Sequence, residues 1–366
     1  MTSKCGAAIL ALVLVGASAC AFTSSTTKSP SDIHTTASLP PIPGSVQPAG
    51  VIAFRRYTGF DLETSQIVTS RVDGSNQQIM TRPERGVRDT LPAWSYDGRR
   101  IAFMRNTPAP HATSEVDVVE RSSGAITQLT HSPPASSCGG SSGPQPAAPA
   151  SDVSCNGDPA WSPDGQTLAY THRYRQNSVE RSEIWLVDAT GGRARSLIQG
   201  GLPARDSSPV WSPDGTRLAF EHVNDNGTSS IFLVRADGTG ERQLTPSNLK
   251  FGDHAAWSAD GSRLLFRSNP GDPTQEFQQS DLYTVRPDGT GLTKLNQSDR
   301  DVEFLSASWS PDGQWIVAGL VRRGSHHDQA QLYLLSSSAN QGRLVVADPN
   351  WQSAPRWLPA SGETAP

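Results

Sequence analysis

The feature that most constrains this chain is a seven-residue segment that returns five times without gaps. The copies are Pro92-Ala-Trp-Ser-Tyr-Asp-Gly98, Pro159-Ala-Trp-Ser-Pro-Asp-Gly165, Pro209-Val-Trp-Ser-Pro-Asp-Gly215, Ala255-Ala-Trp-Ser-Ala-Asp-Gly261 and Ala307-Ser-Trp-Ser-Pro-Asp-Gly313. A partial sixth copy is Ala354-Pro-Arg-Trp357. An apolar run follows each full copy: Ile101-Ala-Phe103, Leu168-Ala-Tyr170, Leu218-Ala-Phe220, Leu264-Leu-Phe266 and Ile316-Val-Ala318. The missing member, Ile52-Ala-Phe54, stands near the other end of the chain. Pro presets the first corner of a turn, Asp bonds nearby backbone and Gly accepts φ > 0. Apolar runs on both sides make each copy a β-hairpin.

Two more strands follow each hairpin. The third strands are expected at Ile67-Val68, Val116 to Val119, Ile184 to Val187, Ile231 to Val234, Leu282 to Val285 and Leu332 to Leu335. The fourth centre on Ile79, Leu129, Leu197, Leu244, Leu295 and Leu344. Successive tryptophans of the repeat lie 46 to 67 residues apart, the size of a four-stranded propeller blade. A single blade cannot bury both its faces, whereas blades stacked in a ring do. The pattern therefore predicts an all-β, six-bladed β-propeller with four antiparallel strands per blade. The last copy stops after its first strand and the first copy begins at its second. The ring is expected to close by pairing of these N- and C-terminal strands. Each repeated Trp then packs between blades, and each turn Asp is structural.

The Trp-Ser-Pro-Asp-Gly turn followed by Ile-Ala-Phe resembles the repeat of TolB-type, WD40-like bacterial propellers, and the resemblance covers residues 50–358. The founding member of that family carries an α/β domain ahead of its propeller. Here a Ser/Thr/Pro-rich tether takes that place, so the founding member's partners are not carried over.

The ends predict export. Residues 1–20 combine Lys4, an apolar run from Ala7 to Val15, and the small residues Gly16, Ala17, Ser18 and Ala19 before Cys20. This ending is similar to a bacterial lipoprotein signal with Cys20 as the lipidated residue. Ala17 stands where such signals carry Leu, and the alternative is an ordinary secretory peptide cut near Ala19. Residues 21–48 have almost no large apolar side chain and are expected to be a disordered tether. It would span about 30 Å on average. Residues 49–358 form the propeller and 359–366 a tail. The expected location is the extracytoplasmic face of a bacterial membrane, reached through a lipid anchor. Cys138 and Cys155 flank a Gly/Pro-rich loop, where an oxidising compartment favours a disulfide; two free thiols are the alternative. A net charge of −4 without a Lys/Arg cluster excludes a nucleic-acid groove.

Connections between strands one and two, and three and four, are short and uniform. Those between two and three, and from four to the next copy, vary in length. In an up-and-down blade both variable sets fall on one face, where binding usually sits. The insert from His131 to Asp158 is its largest projection, read either as functional or as a tolerated ornament. Just before four of the tryptophans stand Asp89, Asp158, Asp206 and Asp253, with His254 beside the last. Carboxylates at a channel mouth would suit a divalent cation such as calcium; the alternative is that they cap loop N–H groups. The expected function is a non-enzymatic binding module, a monomeric propeller presenting this face to an envelope protein or peptide. The alternative is a propeller lyase or hydrolase acting on polysaccharide with a channel-mouth cation.

Overall fold

The turn that dominates the sequence is built the same way five times. In the first, the Ser95 hydroxyl donates to Asp97 Oδ1 at 2.6 Å, and the same oxygen accepts the Arg99 amide at 3.1 Å. Ser95 Oγ also accepts the Arg100 amide, and Gly98, at φ 69°, donates to the Ser95 carbonyl. Ser162, Ser212, Ser258 and Ser310 make the matching bonds to Asp164, Asp214, Asp260 and Asp312. Every turn Asp is thus an acceptor inside its own turn.

These bonds favour the charged carboxylate. Asp164, Asp214 and Asp260 lie below the usual carboxylate range, with the serine hydroxyl bond as the leading cause, and Asp214 falls to about 2. A depressed folded-state pKa stabilises the fold above the unfolded value, about 4, and that contribution is lost as pH falls through the folded value. The chain is therefore expected to lose thermal stability between about pH 4 and pH 2. Asp214→Asn should melt lower at neutral pH and show a shallower acid slope in a thermal scan across that window.

The structure, a computed structural model, describes residues 48–59, 61–108, 112–132, 154–176, 179–198, 205–224, 227–247, 249, 251–268, 280–296, 302–322, 330–345, 348, 350 and 352–360. Within these it is all-β, with strands in antiparallel groups of four and no helix. One group consists of β1 (Val51–Tyr57), β2 (Ser65–Arg71) and β3 (Gln78–Ile79), with β24 (Gln352–Trp357) on the free edge of β1. Along the chain follow β4 (Arg88–Trp94), β5 (Arg100–Asn106), β6 (Ser114–Glu120) and β7 (Ile126–Gln128), then β8 (Ser154–Trp161), β9 (Thr167–Gln176), β10 (Val179–Asp188) and β11 (Arg195–Ser196). The fourth group is β12 (Asp206–Trp211), β13 (Arg217–Val223), β14 (Ser229–Arg235) and β15 (Arg242–Gln243). The last two are β16 (Phe251–Trp257), β17 (Leu264–Ser268), β18 (Asp281–Val285) and β19 (Thr293–Lys294), and β20 (Val302–Trp309), β21 (Trp315–Arg322), β22 (Ala330–Ser336) and β23 (Gly342–Leu344). The first two groups are joined by one parallel bridge, Ser65 to Arg88. β24 pairs with β1 from Ile52↔Trp357 to Arg56↔Gln352.

The outer strands are shorter than the apolar pattern suggests and mostly end one residue before the expected leucine. The reason is burial. Leu129, Leu197 and Leu244 tuck inward, each donating its amide to a third-strand carbonyl just beyond the regular ladder. Thr81, Thr130 and Thr245 then accept the amides of Ile67, Val116 and Ile231, so the sheet edge is finished by side chains.

Apolar packing lies between consecutive groups. Phe103, Ile101 and Trp94 pack with Ala53 and Ile67, while Trp161, Leu168 and Tyr170 pack with Ala102 and Val116. The series continues through Trp211 with Ile184, Phe266 with Ile231, and Trp309 with Leu265. A further cluster brings Val317, Leu332 and Leu334 of β21 and β22 onto Ile52, Phe54 and Trp357. Five of the six repeat tryptophans are at most 8% exposed, as packing residues should be. Hydroxyls add a fixed link. The buried Ser65, Ser114 and Ser280 donate to the carbonyls of Asp89, Asn156 and Phe304 at the start of the next first strand.

Each first strand is broken by a register shift against its second strand, in four of them between four residues and one residue before the Trp, and in β16 and β20 beginning five residues before it. In five of them the residue three before the Trp has positive φ: Leu91, Asp158, Ser208, His254 and Ala354. Pro follows four of these, and a bulge is where a strand tolerates a residue without an N–H donor.

Candidate functional site

The bulges set the geometry at the rim where first strands begin. First strands contact one another in succession, β4 with β8, β8 with β12, β12 with β16, β16 with β20, β20 with β24 and β24 with β4. On two bulges sit Asp158 and His254, in strands separated by β12. His254 Nε2 reaches within 3.4 Å of Asp158 Oδ1, and Arg173 of β9 bonds Asp158 Oδ2 at 2.6 Å. Burial would raise the Asp158 carboxyl. Arg173, bonds from His254 and Thr171, and the charge on His254 outweigh it and hold the carboxyl well below the usual range. Arg356 of β24 lies within the field of Asp158; burial lowers its pKa to about 10 and Asp158 opposes the fall. Side chains from β9 and β16 thus meet one buried carboxylate of β8, which lies in the field of Arg356 of β24.

Asp89 and Asp206 occupy a different position, five residues before the Trp, and each keeps to its own sheet. Asp89 is fully buried and accepts two bonds from Arg105 of β5, at 2.8 and 2.9 Å. Arg105 also bonds Asp117 at 3.0 Å, whose carboxyl burial pushes up to about 6 against the pull of Arg105. Asp206 Oδ1 meets His222 Nδ1 of β13 at 2.7 Å. Burial raises the Asp206 carboxyl and the His222 bond opposes it. In β8 the same position is Asn156, bonded to His172 Nδ1 at 2.8 Å and to the buried Glu115 at 3.0 Å. The structure therefore brings Asp158 and His254 together and leaves Asp89 with Arg105 and Asp206 with His222. The side chain of Asp253 lies outside the described residues. Among the described residues no group of three His, Cys, Asp or Glu side chains is arranged to hold a metal ion.

The partners Arg105, His172 and His222 stand eleven residues after their tryptophans on the second strands, opposite Asp89, Asn156 and Asp206 in register. A search confined to acids near the Trp misses them. The recurrence of a basic side chain at that offset is the signal that reveals them.

The group β8–β11 differs most from the others. Its β9–β10 ladder runs unbroken over ten pairs, from Asp188↔Thr167 to Val179↔Gln176, where β13–β14 has seven. Three additional pairs project the hairpin about 10 Å further. Its base carries an aromatic set, with His172 4.4 Å from Trp185 and 5.5 Å from Tyr174. Glu183 ties the set together, accepting from Tyr174 Oη at 2.5 Å and Trp185 Nε1 at 3.1 Å. Cys155 is buried in the adjoining β8 and is disulfide-bonded. Cys138, most of the insert before β8, Cys20 and the whole export region lie outside the described residues.

Residues 151–317 match the model of the TolB beta propeller domain. TolB from Acinetobacter baumannii is similar in structure, with a TM-score of 0.62 at 18% identity, covering 85% of this chain and 67% of that one. A putative TolB from Agrobacterium tumefaciens gives 0.57 at 16% identity, covering 86% and 100%. Hydrazine synthase from Kuenenia stuttgartiensis gives 0.64 at 13% identity, covering 87% and 48%. No curated protein matches the chain. These likenesses show a TolB-like propeller fold.

Proposed function

We propose that this chain is a six-bladed propeller, closed by β24 against β1, that works as a non-enzymatic binding module outside a bacterial membrane. Its ring reading is supported by the six apolar clusters, the last of which leads from β21 and β22 back to β1 and β24. Export and a lipid on Cys20 rest on the signal-like residues 1–20, and Cys138 is the partner proposed for Cys155. The ligand is an envelope protein or peptide.

The observation that carries the binding reading is the difference between the two ends of the sheets. One end repeats a single Ser-Asp-Gly turn. The other bears the β9–β10 hairpin, with Tyr174 and Trp185 half-buried at its base and Glu180 fully out in solvent at 83% side-chain exposure. Amphipathic aromatics beside charged groups on a rigid ladder are the composition of a protein-binding surface. Calcium or a similar cation, and with it a polysaccharide lyase or hydrolase, would need to displace Arg105, Arg173 or His222 from the described carboxylates.

Crosslinking and pull-down from envelope membranes tests the module. The comparison is the intact chain against one whose hairpin is shortened by replacing residues 175–180 with a two-residue turn. A partner recovered by the intact chain should fall about tenfold or more with the short hairpin, as expected when a contact worth 1.4 kcal/mol or more is removed. Its melting temperature should stay unchanged. Equal recovery would refute this surface as the interface. Bound divalent metal together with turnover that Asp206→Ala abolishes would favour the enzyme instead.

A further inference from the structure

The cations at the rim do not all have acids to match. Arg55 of β1 is half-buried, and among the described residues its hydrogen-bond partners are hydroxyls. Its Nε and Nη2 donate to Ser353 Oγ at 2.9 and 2.6 Å, and its Nη1 donates to Thr90 Oγ1 at 3.2 Å. The guanidinium carbon lies 4.9 Å from the Tyr57 ring centroid. Ser353 and Thr90 hold the same place in β24 and β4, four residues before Trp357 and Trp94, so the guanidinium bridges two neighbouring first strands. Burial lowers the Arg55 pKa from its ordinary value, Tyr57 opposes that, and the nearby charge of Arg88 adds to it. Among the described residues no carboxylate pairs with Arg55 or Arg88. The nearest acid along β4, Asp89, is turned to Arg105.

A guanidinium has five N–H donors. Three of Arg55's are used, which leaves one on each terminal nitrogen. Two N–H groups on one planar cation fit the two oxygens of a carboxylate, and such charge-assisted pairs are the strong ones. A half-buried cation beside a like charge gains most from an anion that arrives from outside.

We infer that the rim between β24, β1 and β4 is a carboxylate-binding site, with Arg55 as the fork, Ser353 and Thr90 holding it in position, and Arg88 adding charge. This rests on the reading that the rim is the binding end, and it names the group recognised there. The carboxylate belongs either to a peptide C terminus or to an acidic sugar.

Thermal shift of the full chain tests the site with three probes at equal ionic strength: an acetylated tripeptide with a free C terminus, the same tripeptide amidated, and glucuronate. A ligand that binds only the native state raises the melting temperature in a saturable way. At least one carboxylate probe is expected to do so and the amide is not. The probe that works identifies the source. Arg55→Gln should weaken the apparent affinity by about tenfold or more, and Arg88→Gln by about threefold. Arg88→Gln alters a rim side chain that makes no hydrogen bond among the described residues, so it reports even if Arg55→Gln folds poorly. No saturable shift with either carboxylate, or shifts unchanged in both variants, would overturn the site. Failure here with a hairpin-dependent partner still captured would leave the binding module standing and remove only the carboxylate.

Discussion

A chain ending at residue 351 is expected to lose its cooperative melting transition. β24 is short, but it contributes in three ways. It supplies the ladder partner of β1. Trp357 and Leu358 enter two different apolar clusters, one shared with β21 and β22 and one with β5. Ser353 holds Arg55, and the Leu358 amide bonds the Val51 carbonyl. Loss of one buried Trp alone costs about 3–5 kcal/mol, against a total stability of about 5–15 kcal/mol for a typical domain. Removing the whole strand also uncovers the β1 edge, a template for aggregation. Circular dichroism melts and size-exclusion chromatography check this. Trp357→Ala should remain folded but less stable by about 3–5 kcal/mol. A truncated chain that melts within a few degrees of the intact one would show that β24 does not close the fold.

The second large effect is expected at Asp158. Its carboxylate is 4% exposed and serves Arg173, His254 and the field of Arg356. Asp158→Ala leaves those groups without it, and breaking a buried ion pair from one side costs about 3–5 kcal/mol. The position also has φ 52°, where Asn and Asp are better tolerated than Ala. Asp158→Asn therefore separates the two causes, because it keeps the backbone preference and removes only the charge. It should cost less than Ala. Because the folded carboxyl lies below its ordinary value, the charge contributes fully above about pH 4 and fades below it. The gap between wild type and Asp158→Asn in denaturant melts should narrow in acid. Adding Arg173→Ala to Asp158→Ala should restore part of the loss, since the two share one interaction. Additive losses would mean that the carboxylate is held by something else.

Much of the fold was legible in the sequence because the turn and the second strand are local. Ser95, Asp97 and Gly98 bond among themselves, and Phe103 follows within one hairpin, so a linear pattern captures both. The third strands also fell where the apolar runs placed them. The outer strands were harder, since Leu129 and Leu197 are apolar because they tuck in beyond the ladder. The site was only partly legible. Asp89, Asp158 and Asp206 look alike in a list of acids before Trp; their offsets of five, three and five residues set Asp158 apart, and the bulge shows what that difference means. Arg105 and His222 become their partners through cross-strand register, which no stretch of single-strand sequence displays. Arg55 was harder still: its partners Ser353 and Thr90 come from β24 and β4, one of them nearly the whole chain away.

The register shift in every first strand has a consequence for how such a chain can change. A strand without interruption has one parity: alternate residues face alternate sides from end to end, so a change in length flips everything beyond it. In five of the six first strands a single extra residue at the bulge resets the phase. The segment from the bulge to Trp keeps step with the apolar core, and the segment before it follows its own alternation. Rim residues can be exchanged, and whole loops grafted, without shifting a single core side chain out of step. The positive φ at Leu91, Asp158, Ser208 and Ala354 marks where that independence begins, and it makes one end of this molecule a surface that selection or an engineer can rewrite while the other end stays fixed.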